Sequence, residues 1–113
     1  MRGPFCELMV KEVLPVLRAL LARKLSDYGL SQKKIADKMG TTQPAVSQYK
    51  KGSRGGKLSI LQENTEIIER VDEIAKKLST GIMSPEDLAS EFCEICHELE
   101  SNKAFVERLQ GKV

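Results

Sequence analysis

The sequence predicts an all-α protein, and three observations lead to that fold class. Apolar residues recur at steps of three and four through most of the 113-residue chain, as they do on the buried face of a helix. No stretch of useful length alternates apolar and polar residues as a half-buried strand does. Glycines and a Ser-Pro pair separate the periodic segments. A chain of this length builds one modest core, because domains average roughly 100–200 residues.

The first predicted element covers residues 4–25. Its apolar positions keep helical spacing, but Pro15 lies inside it and lacks the N–H that a helix interior needs. The residue before a proline also avoids helical geometry. We therefore expect a kink, or two short helices that meet at Leu14, and an end at Tyr28-Gly29.

Residues 30–52, LSQKKIADKMGTTQPAVSQYKKG, predict two helices that cross closely. In the first of them, Ser31 is a capping residue, and Ile35 and Met39 face the core at a spacing of four. Ala36 stands where a bulkier side chain would prevent close crossing by the second helix.

The second helix of this segment follows a tight turn. Gly40 supplies a turn that we expect to contain about four residues, and Thr42 caps the helix that follows. Pro44 is tolerated in its first turn, while Val46 and Tyr49 face inward at a spacing of three. Helix, short turn and helix together form a unit that places its second helix in the major groove of B-DNA.

Two longer amphipathic helices are predicted in the second half of the chain. One covers about residues 64–78 and stops at Gly81. The other begins at residues 84–87, where a capping serine, a proline at the first helical position and two acids favour a helix start. A break at residues 101–102 precedes a short last helix. The apolar stripes are Ile67, Val71, Ile74 and Leu78, and Leu88, Phe92, Ile95 and Leu99.

Both stripes need a surface to cover them, because short helices are stabilised mainly by packing of the apolar face. Two arrangements are open. The helices pack back onto the first three helices, or they pair with a second copy of the chain. We favour the pairing and expect a homodimer.

Composition narrows the class of protein. Hydrophobic residues make up 41% and charged residues 30% of the chain, as in soluble globular proteins. Aromatic residues make up only 4% and tryptophan is absent, which argues against a stacking platform for single-stranded nucleic acid or carbohydrate. No run approaches the ~20 apolar residues of a membrane helix, and no secretory signal pattern is evident. We expect a cytoplasmic protein without membrane association.

The charge divides the chain into two parts of opposite sign. Residues 1–57 contain twelve Lys or Arg and four acids, giving +8, whereas residues 58–113 contain six bases and twelve acids, giving −6. Phosphate affinity grows with the number of cations presented, so the first part is predicted to meet a polyanion, although charges that only solvate helices are the alternative. We predict a basic helical domain over residues 1–57, with the two-helix unit at about 31–51, and an acidic extension over residues 58–113 for dimerisation and possible sensing.

The two-helix unit resembles the helix-turn-helix of the Cro and phage lambda repressor class, also called the XRE class. Ala36, Gly40 and Val46 match the class pattern, as do Gln32 and Gln43. The resemblance implies a lambda-repressor-like domain that binds double-stranded DNA, here with a C-terminal helical extension for dimerisation. It implies that Gln43 opens the recognition helix and reads adenine while Gln32 contacts a phosphate. The whole chain also resembles small archaeal predicted regulators, which implies an archaeal cytoplasmic regulator.

The DNA contacts are predicted from helical spacing together with this resemblance. Gln43 and Gln48 are assigned to base edges, because an amide can both donate to and accept from the N6 and N7 edge of adenine. Pro44 replaces a hydrogen-bonding residue often found in the class, so a contact there is apolar. Lysines and arginines would meet phosphates or the adjacent minor groove, or else form a solvated surface. The predicted contacts are Gln32, Thr42, Gln43, Pro44, Ser47, Gln48, Lys50, Lys51, Arg54 and Lys57.

Three cysteines and the single histidine form a second candidate site. Cys93, Cys96 and His97 stand at i, i+3 and i+4 of a predicted helix, where successive turns bring side chains together. With Cys6 they would satisfy a tetrahedral zinc ion or ligate an iron–sulfur cluster. Buried structural cysteines and a thiol redox switch are the alternatives, since free cysteine is often buried.

An enzyme is not predicted. The sequence holds neither a nucleophile–histidine constellation nor the G-x-x-x-x-G-K-[ST] phosphate loop. We expect a dimeric transcription regulator, with repression favoured, that binds a palindromic operator whose half-sites lie about 34 Å apart. The alternative is a helix-turn-helix interaction module, such as an antitoxin-like protein that binds a partner and carries structural cysteines.

Overall fold

The computed structural model describes the chain over residues 9–51, 61 and 63–109, and its side chains over residues 11–49, 61 and 63–107. No strand occurs in these residues, so the all-α prediction is confirmed. Among them, no helix is long and apolar enough to cross a membrane. A π-helical turn, Met9–Val13, precedes α1 (Leu14–Asp27), α2 (Gln32–Met39), α3 (Gln43–Lys51), α4 (Thr65–Thr80), α5 (Pro85–Glu100) and α6 (Lys103–Leu109).

The predicted break at Leu14 is present as a change of helix type. The π-helical turn ends at Val13, and α1 begins at Leu14 with Pro15 in its first turn. A proline is accommodated there because the first turn has no intrahelical acceptor for its missing N–H. At the other end, the Tyr28 N–H donates to the Lys24 carbonyl at 3.0 Å, and α1 stops before Gly29.

Local caps set the limits of α2 and α3. Ser31 Oγ accepts from the backbone N–H of Lys34 at 3.2 Å, and α2 ends at Gly40, whose φ of +67° is a left-handed conformation that glycine adopts without strain. Thr42 Oγ1 accepts from the N–H of Ala45 at 3.3 Å and begins α3. The turn between the helices contains residues 40–42, one residue fewer than predicted, because Gln43 already belongs to α3.

The helices of the second half also begin at side-chain caps. Asn64 Oδ1 accepts from the N–H of Ile67 at 3.2 Å, and α4 ends at Gly81. At the start of α5 the Asp87 carboxylate accepts from the Ser84 N–H at 3.1 Å and from the Ser84 hydroxyl at 3.0 Å. The predicted helix start at Ser84 is therefore present, with the acid three residues later accepting both bonds.

One hydrophobic core draws on both halves of the chain. Leu17, Leu21 and Leu25 of α1 are fully buried at its centre, and α4 packs on α1 while α5 packs on α2 and α4. All the residues of the two predicted apolar stripes are at most 7% exposed within the single chain. The stripes thus pack back onto the first three helices, the first of the two arrangements left open, and they no longer require a second copy.

Ion pairs join α4 to α5 on the outer side of this core. The Arg70 guanidinium lies 3.7 Å from the Glu91 carboxylate and 3.5 Å from that of Glu94, and it also bonds Glu98. Each such surface pair contributes about 0–1 kcal/mol. Together they link the outer sides of the two helices.

A hydrogen bond joins the end of α1 to α4. The Tyr28 hydroxyl donates to the Asp72 carboxylate at 2.8 Å, and Lys24 and Lys76 lie 4.0 Å and 3.6 Å from the same group. The Tyr28 hydrogen bond, followed by the two lysines, lowers the pKa of Asp72. Partial desolvation, and then the Asp72 bond and charge, raise the pKa of Tyr28.

Candidate nucleic-acid interface

The second helix of the two-helix unit has one buried and one exposed face. Val46 is fully buried, and Tyr49 is half-buried against the core. On the opposite side, the side chains of Gln43, Pro44 and Gln48 are exposed and that of Ser47 is half-exposed. We call these four residues the α3 face. The inward and outward assignments predicted for this helix are confirmed.

Two neighbouring helices hold the α3 face in place. α3 packs on α1 and on α2, and the contact with α2 is close because Ala36 has a small side chain that is only 3% exposed. Ile35 is fully buried and Met39 is 9% exposed beside it. The α3 face is therefore supported by packed helices, as a site that must hold its geometry requires.

The polar groups of this surface are unengaged within the described part of the chain. The amides of Gln32, Gln43 and Gln48 form no hydrogen bond with any described residue. A glutamine amide offers both donors and an acceptor, so these side chains remain open to an outside partner. The Thr42 hydroxyl, in contrast, accepts from the Ala45 N–H at 3.3 Å, which gives this predicted contact residue a capping role.

Exposed cations also lie on α2. Lys33 and Lys34 are exposed, Lys38 is half-exposed, and none of the three forms an ion pair with a described residue. Sequence reasoning left Lys33 and Lys34 out of the predicted contacts. Their spacing from Ile35 and Met39 could have identified them, because it places them on the side of α2 away from the core.

The predicted basic contacts beyond the α3 face are less fully described. Lys50 and Lys51 belong to the last turn of α3, but their side chains lie outside the described ones. Arg54 and Lys57 lie outside the described residues altogether. These four positions remain predictions from the sequence.

A comparison with protein families identifies this segment. Residues 21–62 match a family model described as helix-turn-helix. This segment is a helix-turn-helix domain of the XRE type. The match covers 42 of the 113 residues, from within α1 through α2 and α3. Neither a curated protein nor a solved structure matches the chain.

The helix-turn-helix match supports a DNA-binding regulator. In helix-turn-helix domains of known geometry, the second helix of the unit lies in the major groove and the first crosses the backbone. In this chain α3 holds the position of that second helix and α2 that of the first. The geometry agrees with this assignment, since α3 exposes amides while α2 exposes lysines. Amides can bond base edges, and lysines can pair with phosphates.

The predicted metal ligands do not converge in the described part of the chain. On α5, Cys93 is exposed and Cys96 is half-buried, while the His97 side chain is 70% exposed with Nδ1 3.8 Å from a Glu100 oxygen. No group of three or more His, Cys, Asp or Glu side chains among the described residues could hold a metal ion. Cys6 lies outside those residues, so the four-ligand set stays a prediction.

The alternative that the cysteines are buried and structural has a different outcome for Cys93 and for Cys96. It is wrong for Cys93, which is exposed. It holds in part for Cys96, which is half-buried and packs against the hydrophobic core. Three residues advance a helix by less than a full turn, and this offset separates the two environments.

Proposed function

We propose that this chain is a sequence-specific regulator that binds double-stranded DNA as a homodimer and represses transcription from a palindromic operator. The proposal rests mainly on the exposure of the glutamine amides of the α3 face. Its amides are exposed and unengaged with described residues, on a helix whose other side is fixed in the core. Exposed glutamines on one helix suit major-groove readout, because an amide can bond both N6 and N7 of adenine.

The residues of the α3 face have separate roles in this proposal. Gln43, in the first turn of α3, makes paired hydrogen bonds to the N6 and N7 edge of adenine. Gln48, five residues further along the helix, reads a second base. Pro44 has no donor and packs against a thymine methyl group. Gln32, at the start of α2, bonds a phosphate.

Selection of bound sequences from random duplex DNA tests this assignment. We expect an enriched operator, and we expect Gln43→Ala to weaken binding to it by about 1–3 kcal/mol while binding to random DNA is unchanged. Ser90→Ala, an exposed substitution on α5, is the matched control. Equal losses on operator and random DNA would contradict base reading by Gln43.

The proposed dimer no longer depends on the apolar stripes. A candidate contact between two copies is Ile82, which lies in the turn between α4 and α5 and is 77% exposed. A second copy that packs around Ile82 would remove this large apolar side chain from water. The described chain measures 39 × 25 × 24 Å, so two copies in contact can place their recognition helices at a separation near the ~34 Å of one DNA turn.

Sedimentation of the full chain, with and without operator DNA, tests the dimer. Ile82→Asp is expected to shift the chain from dimer to monomer and to weaken binding to the full palindrome much more than binding to one half-site. Ala104→Asp places the same charge at another exposed position and serves as the control. A monomer that protects one isolated half-site would rule out the proposed symmetry.

Repression is the simplest consequence of such binding, because a dimer that occupies one helical turn of a promoter excludes other proteins from that surface. Transcription in vitro from a promoter that overlaps the selected operator should fall as the chain is added. The Gln43→Ala variant should leave transcription unaffected at the same concentration. An increase in transcript would identify an activator instead.

A metal- or redox-sensing role rests on the sequence alone. Purification under anaerobic conditions, followed by an absorbance spectrum and metal analysis, tests the set of Cys6, Cys93, Cys96 and His97. The hypothesis predicts a stoichiometric zinc or iron signal that Cys93→Ser removes, together with a change in operator affinity. A metal-free chain that binds its operator equally well would contradict it.

A further inference from the structure

The turn of the helix-turn-helix is in contact with the acidic half of the chain. A Cβ atom added to Gly40 would lie 3.2 Å from Cβ of Pro85, a distance shorter than ordinary van der Waals contact. Gly40 ends α2, three residues before the recognition helix begins, and Pro85 is the first residue of α5. The two halves of the chain therefore meet where the orientation of α3 is set.

Pro85 is held in place without help from the turn. The Asp87 carboxylate bonds both the N–H and the hydroxyl of Ser84, and the Met83 N–H donates to the Lys77 carbonyl at 3.1 Å. These bonds fix the residues that lead into α5. The proline ring adds its own restriction on φ.

The rest of α5 is anchored as firmly. Its stripe residues Phe92 and Ile95 are 7% and 0% exposed. On the outer side, three carboxylates of α5 surround Arg70 of α4. A packed helix of this kind moves as a rigid body, so its first residue presents a fixed surface to Gly40.

The turn itself is short and links α2 to α3. It contains only residues 40–42, and its internal backbone bonds run back to α2, from the Gly40 N–H to the Asp37 carbonyl at 3.3 Å and from the Thr41 N–H to the Ala36 carbonyl at 2.9 Å. These bonds tie the turn to α2, and the Thr42 carbonyl, which accepts from the Val46 N–H at 3.1 Å, ties it to α3. Pro85 approaches this turn at Gly40.

We propose that Pro85 is a positioning residue for DNA readout: by contact with Gly40 it fixes the turn, and through the turn it sets where the recognition helix presents Gln43 and Gln48. Pro85 is not itself assigned a DNA contact. The inference rests on the proposed function, since it concerns the geometry of base reading. By this inference the acidic half takes part in DNA recognition.

Displacement of a base-reading helix affects the two kinds of DNA contact unequally. Paired amide–base bonds need donors and acceptors in register within about half an ångström. Contacts between flexible lysines and phosphates tolerate such shifts, because they act as point charges. Loss of the Pro85 support should therefore lower the preference for operator over random DNA while affinity for random DNA is retained.

The test measures binding of the full-length chain to its selected operator and to random duplex DNA. Pro85→Gly, which removes the ring and Cβ, should reduce the operator-to-random affinity ratio about tenfold, the discrimination carried by one base contact. The salt dependence on random DNA should not change. Pro15→Gly is the matched control, since Pro15 also lies in the first turn of a helix and is exposed.

A second pair of variants tests the contact directly. Gly40→Ala introduces the Cβ that meets Pro85 and also strains the backbone at a φ of +67°. The backbone strain is common to both backgrounds, so the ratio should fall more in the natural background than in the Pro85→Gly background. If Pro85→Gly does not fold, as judged by circular dichroism, Pro85→Ala removes the ring atoms beyond Cβ and should give a smaller reduction. A purely structural role would scale operator and random binding together with the folded fraction.

Three outcomes decide between the inference and the function on which it rests. An unsubstituted chain that selects no operator overturns both. A chain that selects an operator, with folded Pro85 variants that keep the full ratio, overturns the inference alone. A reduced ratio in the Pro85 variants, with the Pro15 control unchanged, supports both.

Discussion

The α2–α3 surface and the α4–α5 surface are both rich in polar side chains, but they differ in what those side chains contact. On α4–α5, one arginine lies among three carboxylates, and Asp72 bonds Tyr28 between two lysines. On α2–α3, five exposed side chains form no hydrogen bond or ion pair with a described residue: Gln32, Lys33, Lys34, Gln43 and Gln48.

This difference separates polar groups that stabilise the fold from polar groups that await a partner. Partnered charges on α4–α5 fix two helices relative to each other and thereby support the turn through Pro85. Unpartnered amides and lysines on α2–α3 keep their full capacity for bases and phosphates.

The largest expected effect concerns the apolar side of the acidic half. Ile95 is fully buried within one chain, so Ile95→Ala should lower the free energy of unfolding by about 2–5 kcal/mol, with the same loss at every protein concentration. Ser90→Ala, on the exposed side of the same helix, should change little. Thermal unfolding at several protein concentrations measures the stability of both variants. If the loss in Ile95→Ala disappeared on dilution, the stripe would belong to a dimer interface.

DNA binding should depend on the charges of the α2 lysines. Neutralising Lys33 and Lys34 to Gln should weaken binding to every DNA sequence alike and lower the slope of log K against log salt by about 0.9 for each phosphate that these lysines would otherwise neutralise. Glu66→Gln with Glu73→Gln changes two exposed acids on α4 and should leave that slope unchanged. A change in operator preference instead would assign the lysines to base reading.

The smallest effect concerns the bond between Tyr28 and Asp72. Tyr28→Phe removes the main cause of the lowered pKa of Asp72, so it should reduce the melting temperature by a few degrees at neutral pH. A depressed carboxyl pKa stabilises the fold above the ordinary value of 3.8 and ceases to do so as the pH falls through the folded value. The difference between the two proteins should therefore shrink below about pH 4.

The tyrosine gives the upper limit of the same pH window. Its raised pKa stabilises the fold below the ordinary value of 10.0, and that contribution is lost as the pH rises through the folded value. Tyr49→Phe is the control, since the Tyr49 hydroxyl forms no hydrogen bond within the described part of the chain. A difference that persisted at pH 3 would assign the effect of Tyr28→Phe to packing.

Local chemistry determined where the helices begin and end and which residues form the α3 face. Ser31, Thr42 and Asn64 accept the bonds expected of capping residues, and Gly40 and Gly81 end helices in left-handed conformations. These interactions join residues three or four positions apart, so the sequence displays them directly. The spacing of Val46 and Tyr49 likewise identified the outward positions of α3.

Only the tertiary structure decided what covers each surface. Periodicity specifies which side of a helix is apolar but not its partner, and for this reason both stripes fitted a dimer until their burial within one chain was seen. The Tyr28–Asp72 bond spans 44 positions, and the Gly40–Pro85 contact joins the two halves of opposite charge. Such contacts depend on how whole helices pack, which no local pattern encodes.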